Sequence, residues 1–295
     1  MGARGAGGAA GGGRPAGDTT LDRLIRILDA FDAGRTTLTV AALARRAAIP
    51  LPTAYRWVER LTAAGLLERG TGGAVGPGMK LWELASRSAP STSLRNAAMP
   101  FMDDVQAVLR QHTQIAVLDE AGVLVLERLS ARGAVPNQAT VAGRLPTSTT
   151  SLGLVLLAYS PSGVTEDFLA RHAEELGAPQ VPADLAAGRT PVRGTARGVV
   201  NPTEIELRRQ LAAVRSQGWA AVDGQVDSEA TGVAVPVLTA RGRVLAALGV
   251  VVPRSSELRP GLAPMLMAAA RGISRAVGER QVASQGASPP HVPAP

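Results

Sequence analysis

The chain has 295 residues, enough for two domains, and is 45% hydrophobic but only 3% aromatic, so its cores must be built from Leu, Val and Ala. It contains no cysteine, which excludes disulfides, thiolate nucleophiles and Cys-ligated zinc, and its three histidines, His112, His172 and His291, match no metal-ligand spacing. The net charge of +7 is carried by arginine, since Lys80 is the only lysine; residues 1–90 hold +5 of it (twelve Lys/Arg against seven Asp/Glu), residues 91–295 only +2 (nineteen against seventeen).

That asymmetry points to a polyanionic partner for the first third of the chain. No apolar run reaches the roughly 18–20 residues that a bilayer span needs. The Gly-rich start has no apolar core of a signal peptide. A cytoplasmic protein with no membrane partner is expected. Residues 1–18 and 284–295 are low in complexity and read as disordered tails.

Between the tails the elements come in order. "DTTLDRLIRILDAFDAG" places Leu21, Leu24, Ile25, Leu28 and Phe31 on one helical stripe, with Asp18 or Thr19 to cap it and Gly34 to stop it. "TLTVAALARRAAIP" reads as a second short helix, capped by Thr39, with Val40, Leu43 and Ala47 inward. A third helix is predicted over 52–64. At about 100° per residue, Ala54, Trp57, Val58 and Leu61 share its core face, while Arg56, Glu59 and Arg60 point away with Thr53 and Tyr55 on the flanks. Pro52 suits the first turn, where a missing N–H costs nothing, and Gly65 ends the helix. "LLERGTGGAVGPGMKL" then gives a strand, a glycine turn and a return strand, flanked by Arg69 and Lys80.

Two short helices joined by a tight turn, the second carrying arginines outward, form a helix-turn-helix, and the hairpin after it forms a wing. The second helix of such a pair enters the major groove with its first turns nearest the bases. Arginine forks match guanine or phosphate, and Thr53 and Tyr55 can donate to phosphates. Two exposed arginines alone are ordinary solvated surface. The order of the elements and the charge asymmetry are what favour DNA.

From about residue 91 the pattern changes. "STSLRNAAMPFMDDVQAVLRQHT" reads as helix broken at Pro100. "QIAVLDEAGVLVLERLS" is a hairpin turning at 120–122. Helical runs follow at 149–159 and 164–176, a long Pro/Gly/Arg-rich loop at 178–202, and a helix ending at Gly218. "TGVAVPVLTARGRVLAALGVVVP" makes two strands turning at Arg241 and Gly242, and a last helix over 260–283 turns Leu262, Leu266, Ile273 and Val277 inward. Hairpins and helices without a βαβ rhythm predict an α+β domain with an antiparallel sheet.

These motifs resemble the IclR (isocitrate lyase regulator) family of transcription factors. The likeness rests on "LDRLIRILDAF", "LTVAALARRAAIPLPTAYRWVERLTAAGLLER" and "GPGMKLWELA", then on "RLPTSTTSLGLVLLAYSP", "LAAVRSQGWAAVDGQ" and "GVAVPVLTARGRVLAALGVVVP", and covers about residues 20–280. The resemblance implies a winged helix-turn-helix over 19–84, connecting and dimerising helices over 85–110, and an effector-binding domain over 111–283 with a curved antiparallel sheet and flanking helices. It implies a dimer or tetramer that binds double-stranded DNA in response to a small organic or aromatic metabolite, with no cofactor. DNA contacts would fall on Thr53, Tyr55, Arg56 and Arg60, with Arg45, Arg69 and Lys80 on the backbone. The effector pocket would be lined by Thr147, Thr149, Thr150, Gly153, Asp223, Val233, Val235, Gly249 and Val251.

The chain departs from the family in ways that make the pocket less polar. Thr147–Ser148–Thr149 stands where a histidine is common, Leu154 where a lysine is common, Gly249 and Val251 where small polar residues are common, and a carboxylate common after the "GWA" segment is represented only by Asp223, Gln225 or Asp227. A larger apolar or aromatic effector is therefore expected over a small dicarboxylate. From the residues alone, Thr149 and Thr150 equally suit helix caps, and Asp223 beside Gly224 suits a turn. An enzyme is not expected, since there is no Cys, no G-x-S-x-G and no histidine near a serine motif. The alternative is a ligand-sensing module whose first domain binds a protein instead of DNA.

Overall fold

The computed structural model describes residues 19–32, 35–87, 89–137, 139–179, 199–225, 228–255 and 259–286. The tail 1–18, Asp18, Gly34, Asp227 and most of the loop expected at 178–202 lie outside them. The chain divides into two compact units, the boundary falling between Arg87 and Ser88.

The first unit is built on three helices. Helix α1 (Thr20–Asp29) starts in a capping box: the Thr19 hydroxyl accepts from the Asp22 N–H at 3.1 Å while the Asp22 carboxylate accepts from the Thr19 N–H at 2.9 Å. Helix α2 (Val40–Arg46) is capped by the Thr39 hydroxyl. Helix α3 (Leu51–Ala63) carries its two prolines, Pro50 and Pro52, at the start. Ile27, Leu43, Ala54, Val58, Leu67 and Val75 form the core. Two arginines tie α1 to α2. Arg26 Nε donates to the Ala47 carbonyl at 2.9 Å, at the end of α2; Arg46 Nε donates to the Ala30 carbonyl at 2.7 Å, at the end of α1, and pairs with Asp32. Each cation meets the negative end of the other helix.

Helices α2 and α3 end in the same way. After α2 the Ile49 N–H returns to the Ala44 carbonyl (3.0 Å) and the Ala48 N–H to the Arg45 carbonyl (3.3 Å); after α3 the Leu66 N–H returns to Leu61 (2.9 Å) and the Gly65 N–H to Thr62 (3.0 Å). Both are Schellman turns, which need a left-handed residue. After α3 that residue is Gly65 (φ 74°); after α2 it is Ala48 (φ 50°). Three strands close the unit: β1 (Leu38–Thr39), β2 (Leu67–Arg69) and β3 (Ala74–Pro77), in the order β1-β3-β2, all antiparallel. A 3-10 turn at Thr71–Gly73 forms the wing tip, and α4 (Met79–Ser86) follows.

Three expectations for this unit are corrected. Helix α1 stops at Asp29, well before Gly34, because Ala30 and Phe31 turn back onto its last carbonyls. Trp57 is only half-buried: Ala54, Val58 and Leu61 fill the space behind α3 and leave the indole at the core margin. Strand β1 was not expected, since two residues carry no periodicity and it exists only by pairing with β3.

The second unit holds α5 (Ala89–Leu109), β4 (His112–Asp119), β5 (Gly122–Ser130), β6 (Arg144–Leu145), α6 (Ser151–Tyr159), α7 (Ser162–Arg171), α8 (Glu204–Gln217), β7 (Ala220–Asp223), β8 (Ala230–Leu238), β9 (Val244–Pro253) and α9 (Arg259–Gly286). The strands make one antiparallel sheet in the order β6-β5-β4-β9-β8-β7. Alternation splits its two faces. Ile115, Val233, Val235, Val237, Leu248 and Val250 pack on α5 and α9, with Leu262, Leu266, Ile273 and Val277 facing them. Ala116, Ala234 and Ala247 pack on α6, which is buried on all sides and backed by α8. Register shifts after Ile115 and after Val237 bend the sheet.

Here too the structure differs from expectation. Helix α5 runs unbroken through Pro100. The proline removes one ladder bond, but Ala97, Ala98, Met102 and Val105 bury a continuous face on either side of it. Helix α7 ends at Arg171, short of 176, because turns follow. Helix α9 extends to Gly286, past the start of the tail expected at 284. Strands β6 and β7 are too short to show in the sequence. Among the described residues no helix is long and apolar enough to cross a membrane.

Ala48 holds a conformation that an L-residue adopts at a cost of roughly 1 kcal/mol. Ala48→Gly is therefore expected to raise the unfolding free energy of the first unit by about 0.5–1 kcal/mol, whereas Gly65→Ala should lower it by a similar amount or more; urea unfolding midpoints of the two variants check this.

Candidate functional site

The first candidate surface is the outer face of α3. Tyr55, Arg56, Glu59 and Arg60 are exposed and Thr53 is half-exposed, since Ala54, Val58 and Leu61 take the core side. Arg45 is exposed on α2, and Arg69 ends β2 at the base of the wing. Among the described residues, Arg45, Arg56, Arg60 and Arg69 make no hydrogen bond or ion pair, in contrast to Arg26 and Arg46. Lys80 lies on the first turn of α4, its N–H bonded to the Gly65 carbonyl, beyond the C-terminal end of α3; its ammonium pairs with Glu83 at 3.4 Å. An exposed face with four uncompensated guanidinium groups suits a phosphate backbone and base edges.

The second candidate is a cavity between the α6 side of the sheet and the segment after β5. It encloses about 500 Å³ of space, part of it open at the mouth. Its floor is Gln114 of β4, Ala230 and Gly232 of β8, Val251 of β9 and Val222 of β7. Thr149, Thr150, Ser151 and Leu152 at the start of α6 form one wall, Pro136 and Asn137 the cover, and Leu145 and Gln225 the remaining sides. The lining is mostly apolar and, among the described residues, holds no charged side chain. A second chamber of about 660 Å³ shares Thr149, Val222 and Gln225 with the first and extends past Ser148 and Asn201 to Glu206 and Gln210 of α8.

Local chemistry explains how α6 is seated. The Thr150 hydroxyl caps the helix, accepting from the Gly153 N–H at 3.1 Å and donating to the Pro146 carbonyl at 2.6 Å. Three glycines give the clearance. A Cβ on Gly153 would stand 2.6 Å from Thr147 Cα, one on Gly232 would stand 2.9 Å from Ser151 Oγ, and one on Gly249 would stand 3.0 Å from a Leu152 methyl.

Of the residues proposed from the sequence, Thr149, Thr150 and Val251 line the cavity. Thr147 is buried behind α6, and Gly153 and Gly249 provide clearance. Val233 and Val235 face α5 and α9 on the opposite side of the sheet. Asp223 pairs across strands with Thr231, whose hydroxyl donates to its carboxylate at 2.6 Å, and Thr231 is cross-strand from the core residue Val252; Asp223 therefore also belongs to that far face. Gln225, one of the three residues standing where the family commonly has a carboxylate, also lines the cavity, whereas sequence reasoning missed Gln114, Asn137, Ser151, Val222 and Gly232. The alternation in β7 and β8 relative to the core valines is the signal that would have found Val222 and Gly232.

The cover, residues 131–137 and 139–143, is strapped to the sheet by polar side chains. Arg128 donates to the carbonyls of Asn137 and Ala139, Gln111 accepts from the Val135 N–H at 3.1 Å, and Asn137 donates to Gln114 at 3.4 Å. His112 Nε2 donates to the Val135 carbonyl at 2.5 Å, leaving Nδ1 to accept from the Ser130 hydroxyl at 2.9 Å. Burial holds the His112 imidazole below its ordinary pKa, against the Val135 bond and with help from the Arg128 charge.

Comparison with known proteins adds to this geometry. Residues 20–70 match the IclR helix-turn-helix domain, and residues 87–179 and 188–275 match the bacterial transcriptional regulator IclR C-terminal domain. The Pca regulon regulatory protein of Pseudomonas putida is 29% identical over 260 residues, covering 86% of this chain and 82% of that protein. The glycerol operon regulatory protein of Streptomyces coelicolor is 25% identical over 265 residues, covering 88% and 96%. Among solved structures, an IclR homologue from Microbacterium hydrocarbonoxydans complexed with 4-hydroxybenzoate is 39% identical, covers 88% of this chain and 100% of that one, and superposes with a TM-score of 0.74.

Two outcomes test this geometry. Gly153→Ala is expected to lower stability by about 1–3 kcal/mol because neither Thr147 nor α6 has room to move; Gly163→Ala, which meets nothing within 4 Å, should be neutral or stabilising by up to about 1 kcal/mol, read from denaturation midpoints. A lowered folded-state pKa means that the unfolded chain binds the His112 proton more tightly. The stabilisation is thus complete above the ordinary value of 6.5 and is lost as pH falls through it. The melting temperature should drop more steeply between about pH 7.5 and pH 5 in the wild type than in His112→Gln.

Proposed function

Because this chain belongs to the IclR family of bacterial transcriptional regulators, we propose that α3 and the wing hold operator DNA while an aromatic hydroxy acid in the second unit's cavity sets the affinity. The observation that carries the reading is the division among the arginines of the first unit. Arg26 and Arg46 are consumed in holding helix ends, whereas Arg45, Arg56, Arg60 and Arg69 stand exposed without partners. Arg56 and Arg60, with Thr53 and Tyr55, contact bases and phosphates in the major groove; Arg45 and Arg69, with Lys80 at the margin, meet the backbone.

The effector class is supported by a cavity with a neutral, mostly apolar lining and by 39% identity to a homologue that holds 4-hydroxybenzoate. Thr149, Thr150 and Val251 are its contacts from the original set, joined by Gln114, Ser151 and Gln225. The protein works as a homo-oligomer: Leu21 and Ile25 of α1 and Met79 and Trp82 of α4 are exposed apolar residues that a second copy would cover, and two copies read a palindromic site. It acts in the cytoplasm, as a regulator and not as an enzyme. By linkage, DNA changes effector affinity by the factor by which effector changes DNA affinity.

The test is fluorescence anisotropy with the intergenic DNA upstream of the gene, for wild type and Arg56→Ala, across a salt series and with or without 4-hydroxybenzoate. Expected are tight wild-type binding that weakens steeply with salt, a loss of about 5–150-fold in Arg56→Ala, and a shift on adding the acid. Salt-insensitive or absent binding, both here and to a pool of genomic fragments, would replace DNA with a protein partner.

A further inference from the structure

We propose that Gln225 is the residue that recognises a hydroxyl group on the effector, an assignment that rests on the effector reading above. Gln225 follows β7 and stands where the two chambers meet, lining both. Its Oε1 is buried and has no hydrogen-bond partner. A buried amide oxygen without a partner is costly, and such groups in folded proteins are rare enough to mark a ligand's place.

Most of the other polar groups around the inner chamber are already engaged, the Gln114 Nε2 excepted. Gln114 accepts from Asn137, and the Asn137 carbonyl oxygen accepts from the Ala139 N–H at 3.0 Å. Thr150 is committed to capping α6, and Thr149 has a partner of its own. Apart from Gln225, only the Ser151 hydroxyl among the described lining residues has no intramolecular bond. Among the described residues the chamber therefore presents a ligand with the unmet Gln225 oxygen at the chamber junction, a spare Gln114 amide N–H on the floor and a free serine hydroxyl at the first turn of α6.

The chemistry at Gln225 selects a hydroxyl. An O–H donates to Oε1, and it accepts from Nε2 if the amide is turned over, so it satisfies the buried end in either orientation. A carboxylate only accepts. A ligand lacking the hydroxyl leaves the amide unpaired, and a site built around such a bond rejects that analogue. Gln225 is thus a specificity residue, separating hydroxylated aromatic acids from their unsubstituted or capped counterparts.

Isothermal titration of the full chain with 4-hydroxybenzoate, benzoate and 4-methoxybenzoate tests the assignment, in the wild type and in Gln225→Met. The wild type is expected to bind 4-hydroxybenzoate about ten- to hundredfold more tightly than either other acid. Gln225→Met, which keeps the length and removes the amide, is expected to bind all three within about threefold of one another. Equal wild-type affinity for the three acids, or discrimination that survives in Gln225→Met, would overturn the role of Gln225 and leave the aromatic-acid effector standing. Binding of none of the three by the wild type would overturn the effector reading, and the assignment with it. The wild-type series decides the question even if the variant does not fold.

Discussion

The close seating of helix α6 on the sheet is the constraint on which the second unit depends. Nothing larger than hydrogen fits at Gly153, Gly232 or Gly249 without moving the Thr147 backbone, Ser151 or Leu152. These glycines lower the first turn of a wholly buried helix onto β8 and β9, and the Thr150 cap fixes its axial position. The candidate cavity is the space left beside that first turn, where the bent sheet falls away from the helix. Its walls are thus set by packing at glycines, and its polar groups by which side chains remain unspent after capping and strapping.

Arginine is the second organising element. With a single lysine in the chain, backbone carbonyls are held by guanidinium groups in both units: Arg26 and Arg46 at helix ends in the first, Arg128 under the cavity cover and Arg215 on the end of α6 in the second. The planar fork holds a carbonyl and still leaves donors for a second partner, as Arg46 does with Ala30 and Asp32. Four arginines of the first unit that hold no carbonyl among the described residues, Arg45, Arg56, Arg60 and Arg69, stand exposed on the helix-turn-helix and the wing. The same residue type is therefore spent on structure or left exposed according to which face of a helix it occupies.

The cavity cover shows how binding and stability share groups. His112, Gln111, Gln114 and Arg128 each hold the segment after β5 by bonds to its backbone or to Asn137. Burial disfavours the charged form of His112, and the Arg128 charge adds to this. Among its described residues the cover has no regular structure and is closed over the floor of the cavity by polar clasps.

By itself the sequence determined the elements with strong local signals: the capped helices α1, α2 and α8, the Schellman end at Gly65, the two long hairpins and the apolar stripe of α9. It also determined which face of α3 is outward, since 3.6-residue periodicity fixes that locally. Only the tertiary structure decided the rest. Pro100 does not break α5, because the buried face outweighs one lost hydrogen bond. Strands β1, β6 and β7 exist by pairing alone. Val233, Val235 and Asp223 face away from the cavity while Gly232 and Val222 face it, because a strand's two sides are assigned by what packs on the sheet. The unmet amide oxygen of Gln225 is visible only once the hydrogen bonds of the side chains around it are traced in the folded chain.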